Sequence, residues 1–166
     1  METAFIKTPL GTAKITGDDN GIASISILEE GDPRATLEQA KHITKKIPKV
    51  LKEAISQLED YFTGKRTNFD FKLNPQGTEF QQKVWNALLE IPFGKTVSYM
   101  DITKKLGDVK AIRAVASANG KNPLWIVVPC HRVIGTDGSL TGYAGGLWRK
   151  KWLLEHEHPS IQQSLF

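Results

Sequence analysis

One cysteine, Cys130, stands among 166 residues. A single thiol cannot close an internal disulfide and supplies no cysteine-based zinc cluster, so a reducing, cytoplasmic setting without a metal is expected. Charge of one sign is barely in excess. Lys and Arg number 22 against 18 Asp and Glu, leaving +4, which permits a nucleic-acid partner without demanding one. No apolar run approaches the ~20 residues of a membrane-spanning helix. The opening Met1-Glu2-Thr3-Ala4-Phe5 carries no basic stretch followed by an apolar one, so no secretory signal is expected. P-loop and dinucleotide glycine patterns are missing, and with them the sequence evidence for a nucleotide cofactor. Repeats and low-complexity segments are missing too. What is present, 40% hydrophobic and 24% charged residues, suits a globular chain forming one ordinary domain or two small ones.

The first 28 residues read as a small antiparallel sheet. Ala4-Phe5-Ile6, the pair Ala13 and Ile15, and the set Ile22, Ile25 and Ile27 have strand character. Pro9-Leu10-Gly11 and Gly17-Asp18-Asp19-Asn20-Gly21 supply the turns between them. A polar segment opening at Gly31-Asp32-Pro33 reads as a loop with a short helix, and its His42 as a solvated surface side chain. Pro48 suits a first helical position. Leu51, Ala54, Ile55, Leu58 and Phe62 follow with helical spacing, and Gly64 ends that helix. Phe69, Phe71 and Leu73 alternate as a further strand, after which Asn74-Pro75-Gln76-Gly77 reads as a linker.

From Thr78 the pattern turns helical. Thr78 and Gln81 have capping-box spacing, with Phe80, Val84, Ala87 and Leu88 as the buried face. Ser98 and Asp101 repeat the box, Ile102 and Leu106 point inward, and Gly107 ends the helix. Asp108 then caps a helix running from about Val109 to Ala118, which makes a helix-turn-helix. On it Ile112, Val115 and Ala116 face inward, while Lys110, Arg113, Ala114 and Ser117 share the outward side. Thr136-Asp137-Gly138-Ser139 is a tight turn, Gly142 to Gly146 a glycine-rich loop, and Leu147 to Glu157 a closing helix in which Trp148 and Trp152 read as packing.

Asn122 to Ile134 organises the rest. Ile126, Val127 and Val128 read as a short buried strand leading to Pro129, which cannot donate to a ladder. Cys130, His131 and Arg132 follow. A thiol beside an imidazole and a guanidinium sits where its pKa can be lowered; the plain alternative is a small buried core cysteine.

Asn122-Pro123, Pro129-Cys130-His131-Arg132-Val133 and Gly142-Tyr143-Ala144-Gly145-Gly146 together resemble the O6-alkylguanine-DNA alkyltransferases, the methylated-DNA–protein-cysteine methyltransferases. The likeness runs from about Thr78 to Glu157. It implies an α/β chain with a small ribonuclease-H-like N-terminal domain, residues 1–76, and a mainly helical, winged-helix-like C-terminal domain, residues 77–166. It also implies a cofactor-free, monomeric repair protein acting on double-stranded DNA. The alkyl group of O6-alkylguanine would pass irreversibly to a cysteine, with O4-alkylthymine left open as a second substrate.

Carried onto this sequence, the resemblance implies that Cys130 is the nucleophile and that His131 is its base through a bridging water. Glu157 would orient His131, with Glu155 as the nearby competitor. Tyr99 would donate a proton to the leaving guanine and help rotate the flanking phosphate. Asn122 would hold the cysteine segment. The outward helix, with Lys110, Ala114 and Ser117, would lie in the minor groove, and Arg113 would fill the stack vacated by the flipped base. Tyr143, Ala144 and Gly145 would close over the base, with Asn119 and Trp125 at the pocket edge. Three other readings remain at this level: a lesion binder without transfer, a cysteine hydrolase, and a helix-turn-helix regulator with an inert thiol.

Overall fold

The computed structural model describes residues 1–28, 43–140 and 142–158. The polar segment at Gly31-Asp32-Pro33, His42 and the tail from Pro159 lie outside them. The chain divides into two compact units, Met1–Gln76 and Gly77–Phe166.

In the first unit β1 (Glu2–Thr8), β2 (Gly11–Asp18) and β3 (Gly21–Leu28) form an antiparallel sheet in that order. Period-two alternation explains it: Ala4, Ile6, Ala13, Ile15, Ile25 and Ile27 are all buried on one face. A 3-10 turn, Lys49–Leu51, precedes α1 (Lys52–Phe62), so Pro48 stands just before the helical turn rather than at its first position. Leu51, Ala54, Ile55 and Leu58 are buried as their spacing requires, together with Gln57 and Tyr61, whereas Phe62 is half-buried. The strand expected over Phe69 to Leu73 is only a bridge between Ile22 and Leu73. Ile22 N–H donates to the Lys72 carbonyl at 2.9 Å and its carbonyl accepts from Asn74 N–H at 2.8 Å. Phe69 instead packs on Tyr61, with ring centroids 5.5 Å apart. Aromatic packing on α1 replaces a longer ladder.

In the second unit α2 (Glu79–Leu88) opens on a reciprocal capping box between Thr78 and Gln81. Val84, Ala87 and Leu88 are buried, but Phe80 in the first turn is 36% exposed. Trp85 takes the inward place, its indole N–H donating to the Ala118 carbonyl at 2.9 Å. β4 (Val97–Ser98) leads into α3 (Tyr99–Lys105), again capped reciprocally by Ser98 and Asp101. Gly107, at φ +91°, takes the turn. Asp108 then caps the 3-10 turn Val109–Ala111, which runs into α4 (Ile112–Gly120) and completes the helix-turn-helix.

The buried stripe of α4 is Val115, Ala118 and Asn119, not Ile112, Val115 and Ala116; Ile112 is half-buried and Ala116 exposed. Trp85 on α2 explains the rotation, because its bond to Ala118 turns that edge of α4 inward. β5 (Val133–Ile134) pairs parallel with β4 through Val97 with Val133 and Ser98 with Ile134. α5 (Leu147–Glu157) closes the unit. Its Trp148 is 53% exposed and its Trp152 half-buried against His156. Both tryptophans pack, as expected, but on polar neighbours rather than in the core, because the inward face of α5 carries Arg149, Lys150 and Glu157 beside Leu153 and Leu154.

The Trp85–Ala118 bond ties α2 to the helix that presents Arg113. Trp85→Phe is expected to lower stability by about 1–3 kcal/mol, from the lost hydrogen bond and the void left by the smaller ring. Urea unfolding measures this, and a midpoint equal to wild type would contradict the tie.

Candidate active site

Leu124 to Val128 is buried and apolar, as a strand would be, yet it is a succession of tight turns. Val127 N–H donates to the Trp125 carbonyl at 2.9 Å, Val128 N–H to Leu124 at 3.0 Å, and Cys130 N–H to Val128 at 2.7 Å. Ile126 takes φ +76°, and among the described residues it alone does so without being glycine. Such a backbone is strained for a β-branched residue and persists only when its surroundings enforce it. Asn122 is the enforcing group. Its Nδ2 donates to the Val128 carbonyl at 2.7 Å and to Leu124 at 3.3 Å, while its Oδ1 accepts from Leu124 N–H at 2.9 Å. One side chain thus does the work of a neighbouring strand, and the expected ladder is replaced.

Cys130 begins a 3-10 turn, Cys130–Arg132, and is 5% exposed. His131, wholly buried, shares a 2.7 Å bond between its Nε2 and Glu157 Oε2. Arg132 turns to the same carboxylate: Nε donates to Oε1 at 2.7 Å and Nη2 to Oε2 at 3.0 Å. Its Nη1 donates to the Ile91 carbonyl at 2.7 Å. Glu155 is half-buried and faces Lys151 at 3.9 Å, so Glu157 and not Glu155 meets the imidazole.

Burial would raise the Glu157 carboxyl, but the charge and hydrogen bond of His131, with those of Arg132, outweigh it and hold it well below the carboxylate range. Burial lowers His131, and the Arg132 and Lys150 charges add to that against the pull of Glu157. Burial thus favours the neutral form over the imidazolium whose charge would pull Glu157 down. With Nε2–H donating to Glu157, Nδ1 carries the free lone pair, and this buried atom has no protein partner.

The thiol does not behave as its sequence neighbours suggest. Burial pushes Cys130 up to about 11, and the Asn122 hydrogen bond and Lys150 charge only partly oppose this. Arg132 is engaged by Glu157 and Ile91. The cation that bears on the thiol is Lys150, fully buried, with Nζ donating to the Val133 carbonyl. Burial brings its amine down to about 8, with Cys130 pulling the other way. Sequence reasoning missed Lys150. The available signal was its helical spacing of seven residues from Glu157, with Leu153 and Leu154 on the same face.

The loop of Tyr143, Ala144 and Gly145 lies beside this centre. Tyr143 is half-buried, and its hydroxyl is held well above its usual pKa by burial and by the charges of Cys130 and Glu157, Arg149 opposing. Its ring stands 5.8 Å from that of Trp125. Ala144 is exposed and Gly145 buried, where a Cβ would come within 2.8 Å of the Tyr143 ring and 2.9 Å of Trp125. Asn119 is buried with Oδ1 unpartnered. Tyr99 is the first residue of α3, half-buried, reached from the cysteine segment through the β4–β5 pair. Lys110, Arg113, Ala114 and Ser117 are exposed together, as expected. Among the described residues no cluster of three His, Cys, Asp or Glu could hold a metal.

Residues 1–75 match the sequence model of the 6-O-methylguanine DNA methyltransferase ribonuclease-like domain, and residues 79–159 match that of its DNA binding domain. The chain belongs to the O6-methylguanine DNA methyltransferase family. Among its relatives is the methylated-DNA–protein-cysteine methyltransferase of Methanosarcina barkeri, 45% identical over 95% of this chain and 98% of that protein. The crystal structure of the Mycobacterium tuberculosis O6-methylguanine methyltransferase is 42% identical and superposes with a TM-score of 0.80, covering 95% of this chain and 93% of that one. The M. tuberculosis OGT protein in complex with DNA gives 41% and 0.80 over 99% and 94%.

For this O6-methylguanine DNA methyltransferase family member, the free thiol should be slow. With a pKa of about 11, roughly one thiol in a thousand is ionised at pH 8. Iodoacetamide should label folded Cys130 about a hundredfold more slowly than the denatured chain, its rate climbing to beyond pH 10. A labelling profile that levels off below pH 8 would contradict the raised pKa.

Proposed function

We propose that this protein repairs alkylated DNA by carrying the alkyl group from O6 of guanine to Sγ of Cys130. The observation that carries this reading is the 2.7 Å His131–Glu157 bond behind a lone buried thiol in a chain of this family. A neutral imidazole with a free Nδ1 lone pair takes the thiol proton through a bridging water. The thiolate attacks the alkyl carbon in line, the C–S bond forms and the C–O bond breaks. The leaving guanine is protonated, with Tyr99 as donor. The imidazolium is stabilised by Glu157, whose charge Arg132 already shares; that division suits a base that must hold the proton briefly. Asn122 keeps the cysteine turn in place, and Lys150 offsets the thiolate charge.

The double-stranded DNA partner meets the exposed face of α4. Lys110, Ala114 and Ser117 line the approach, and Arg113 fills the stack when the base is flipped. Tyr143, Ala144 and Gly145 close over the base, with Asn119 at the pocket edge. The thioether is permanent, since a neutral dialkyl sulfide offers no leaving group that a thiol or water could displace under cellular conditions. The protein acts once, as a cytoplasmic monomer, without cofactor.

Incubation with an O6-methylguanine duplex should leave one methyl group on Cys130, read by intact mass and peptide mapping. Cys130→Ala should gain none while binding the lesion within about tenfold of wild type, roughly 1.4 kcal/mol. No adduct on the wild-type protein would sink the reading.

Arg113 is tested separately. Unstacking a base costs on the order of a few kcal/mol, so Arg113→Ala should transfer slowly from saturating duplex yet react normally with free O6-alkylguanine base. A phosphate contact alone would instead reduce the salt slope of binding by about one and leave the saturating rate unchanged.

A further inference from the structure

Arg149 occupies an unfavourable place for a cation. It lies in the first turn of α5, where the helix dipole opposes positive charge, and it is buried. Its Nη1 donates to the Gly145 carbonyl at 2.8 Å, and its guanidinium lies over the exposed Trp148 ring, 4.4 Å from the centroid. The loop it touches contains the adjacent Gly145 and Gly146, which, lacking side chains, restrict the backbone least. Gly146 N–H donates to the Tyr143 carbonyl at 2.9 Å. The peptide unit joining Gly145 to Gly146 is therefore gripped at both ends, its N–H by Tyr143 and its C=O by Arg149. The same loop puts Tyr143 within reach of the Cys130 charge and Gly145 against Trp125.

We propose that Arg149, with Trp148 covering its outer face, is a positioning residue that locks the Tyr143–Gly146 loop in the form that receives the alkylated base. This rests on the alkyl-transfer reading. The planar fork donates inward while the indole keeps water from its face, which accounts for a tryptophan left more than half exposed. A lysine could donate to the carbonyl but has no plane to stack.

The test is single-turnover transfer from saturating O6-methylguanine duplex, paired with transfer to the free O6-methylguanine base. Misplacing a substrate-holding group costs up to about a hundredfold. Arg149→Ala should slow both reactions by about tenfold or more, because both substrates need the loop, while affinity for undamaged duplex and its salt slope stay at wild type. Arg149→Lys should recover only part of the rate, and Trp148→Ala should lose less than Arg149→Ala. If Arg149→Ala does not fold, Trp148→Ala carries the test, with slowed transfer to both substrates as the expected result. Wild-type rates in the folded variants would overturn the proposal. A loss confined to duplex, with a smaller salt slope, would overturn it too, by making Arg149 a phosphate contact. A wild-type protein that gains no methyl group would instead defeat the alkyl-transfer reading beneath it.

Discussion

The buried carboxylate of Glu157 holds the turn at Cys130–Arg132 in place. A charge taken out of water is tolerated only when partners replace its solvation, and here two consecutive residues do so, His131 and Arg132. That demand docks the end of α5 against the turn that begins with Cys130. Arg132 extends the constraint to the Ile91 carbonyl after α2. Three separate stretches of chain meet at one ion cluster, so the orientation of the His131 ring is set by the same bonds that satisfy the buried charges. Removing either partner of such a pair typically costs about 3–5 kcal/mol, which makes the cluster a structural requirement of the fold.

The cysteine turn is the complementary case, in which most of the polar groups are satisfied by a neutral amide. Leu124 to Val128 buries its backbone with only Leu124 in a bridge, and buried carbonyls left unpaired are costly. The Asn122 amide supplies the missing partners and holds Ile126 in a left-handed conformation. Lys150 answers the Val133 carbonyl beyond the thiol. The thiol is thus framed by an amide on one side of the sequence and an ammonium on the other.

Local rules were legible in the sequence wherever neighbours a few residues apart decide the outcome. The capping boxes at Thr78 and Ser98, the Gly107 turn, the three N-terminal strands and the span of α5 all follow from short-range spacing. The motif residues were legible through resemblance. What escaped was decided by partners distant in the chain. Ile126 to Val128 has a strand's composition but meets Asn122 instead of a ladder. Trp85 turns α4 by one edge through Ala118, a bond no periodicity announces. The α5 tryptophans pack on His156 and Arg149 rather than in the core, because a charged face is buried there. Lys150 and Arg149, in a basic stretch reading Arg149-Lys150-Lys151, look like solvated surface until the fold buries them.

The raised thiol pKa bears on how such a protein ages. Oxidation of cysteine to sulfenic and then sulfinic acid starts from the thiolate and needs access, and Cys130 offers little of either in the free protein. For a catalyst that turns over, losing a small fraction of its thiols to peroxide is trivial. For a reagent consumed one molecule per lesion, every oxidised copy is a repair that cannot be made. Keeping the sulfur protonated and buried slows that loss in the free protein.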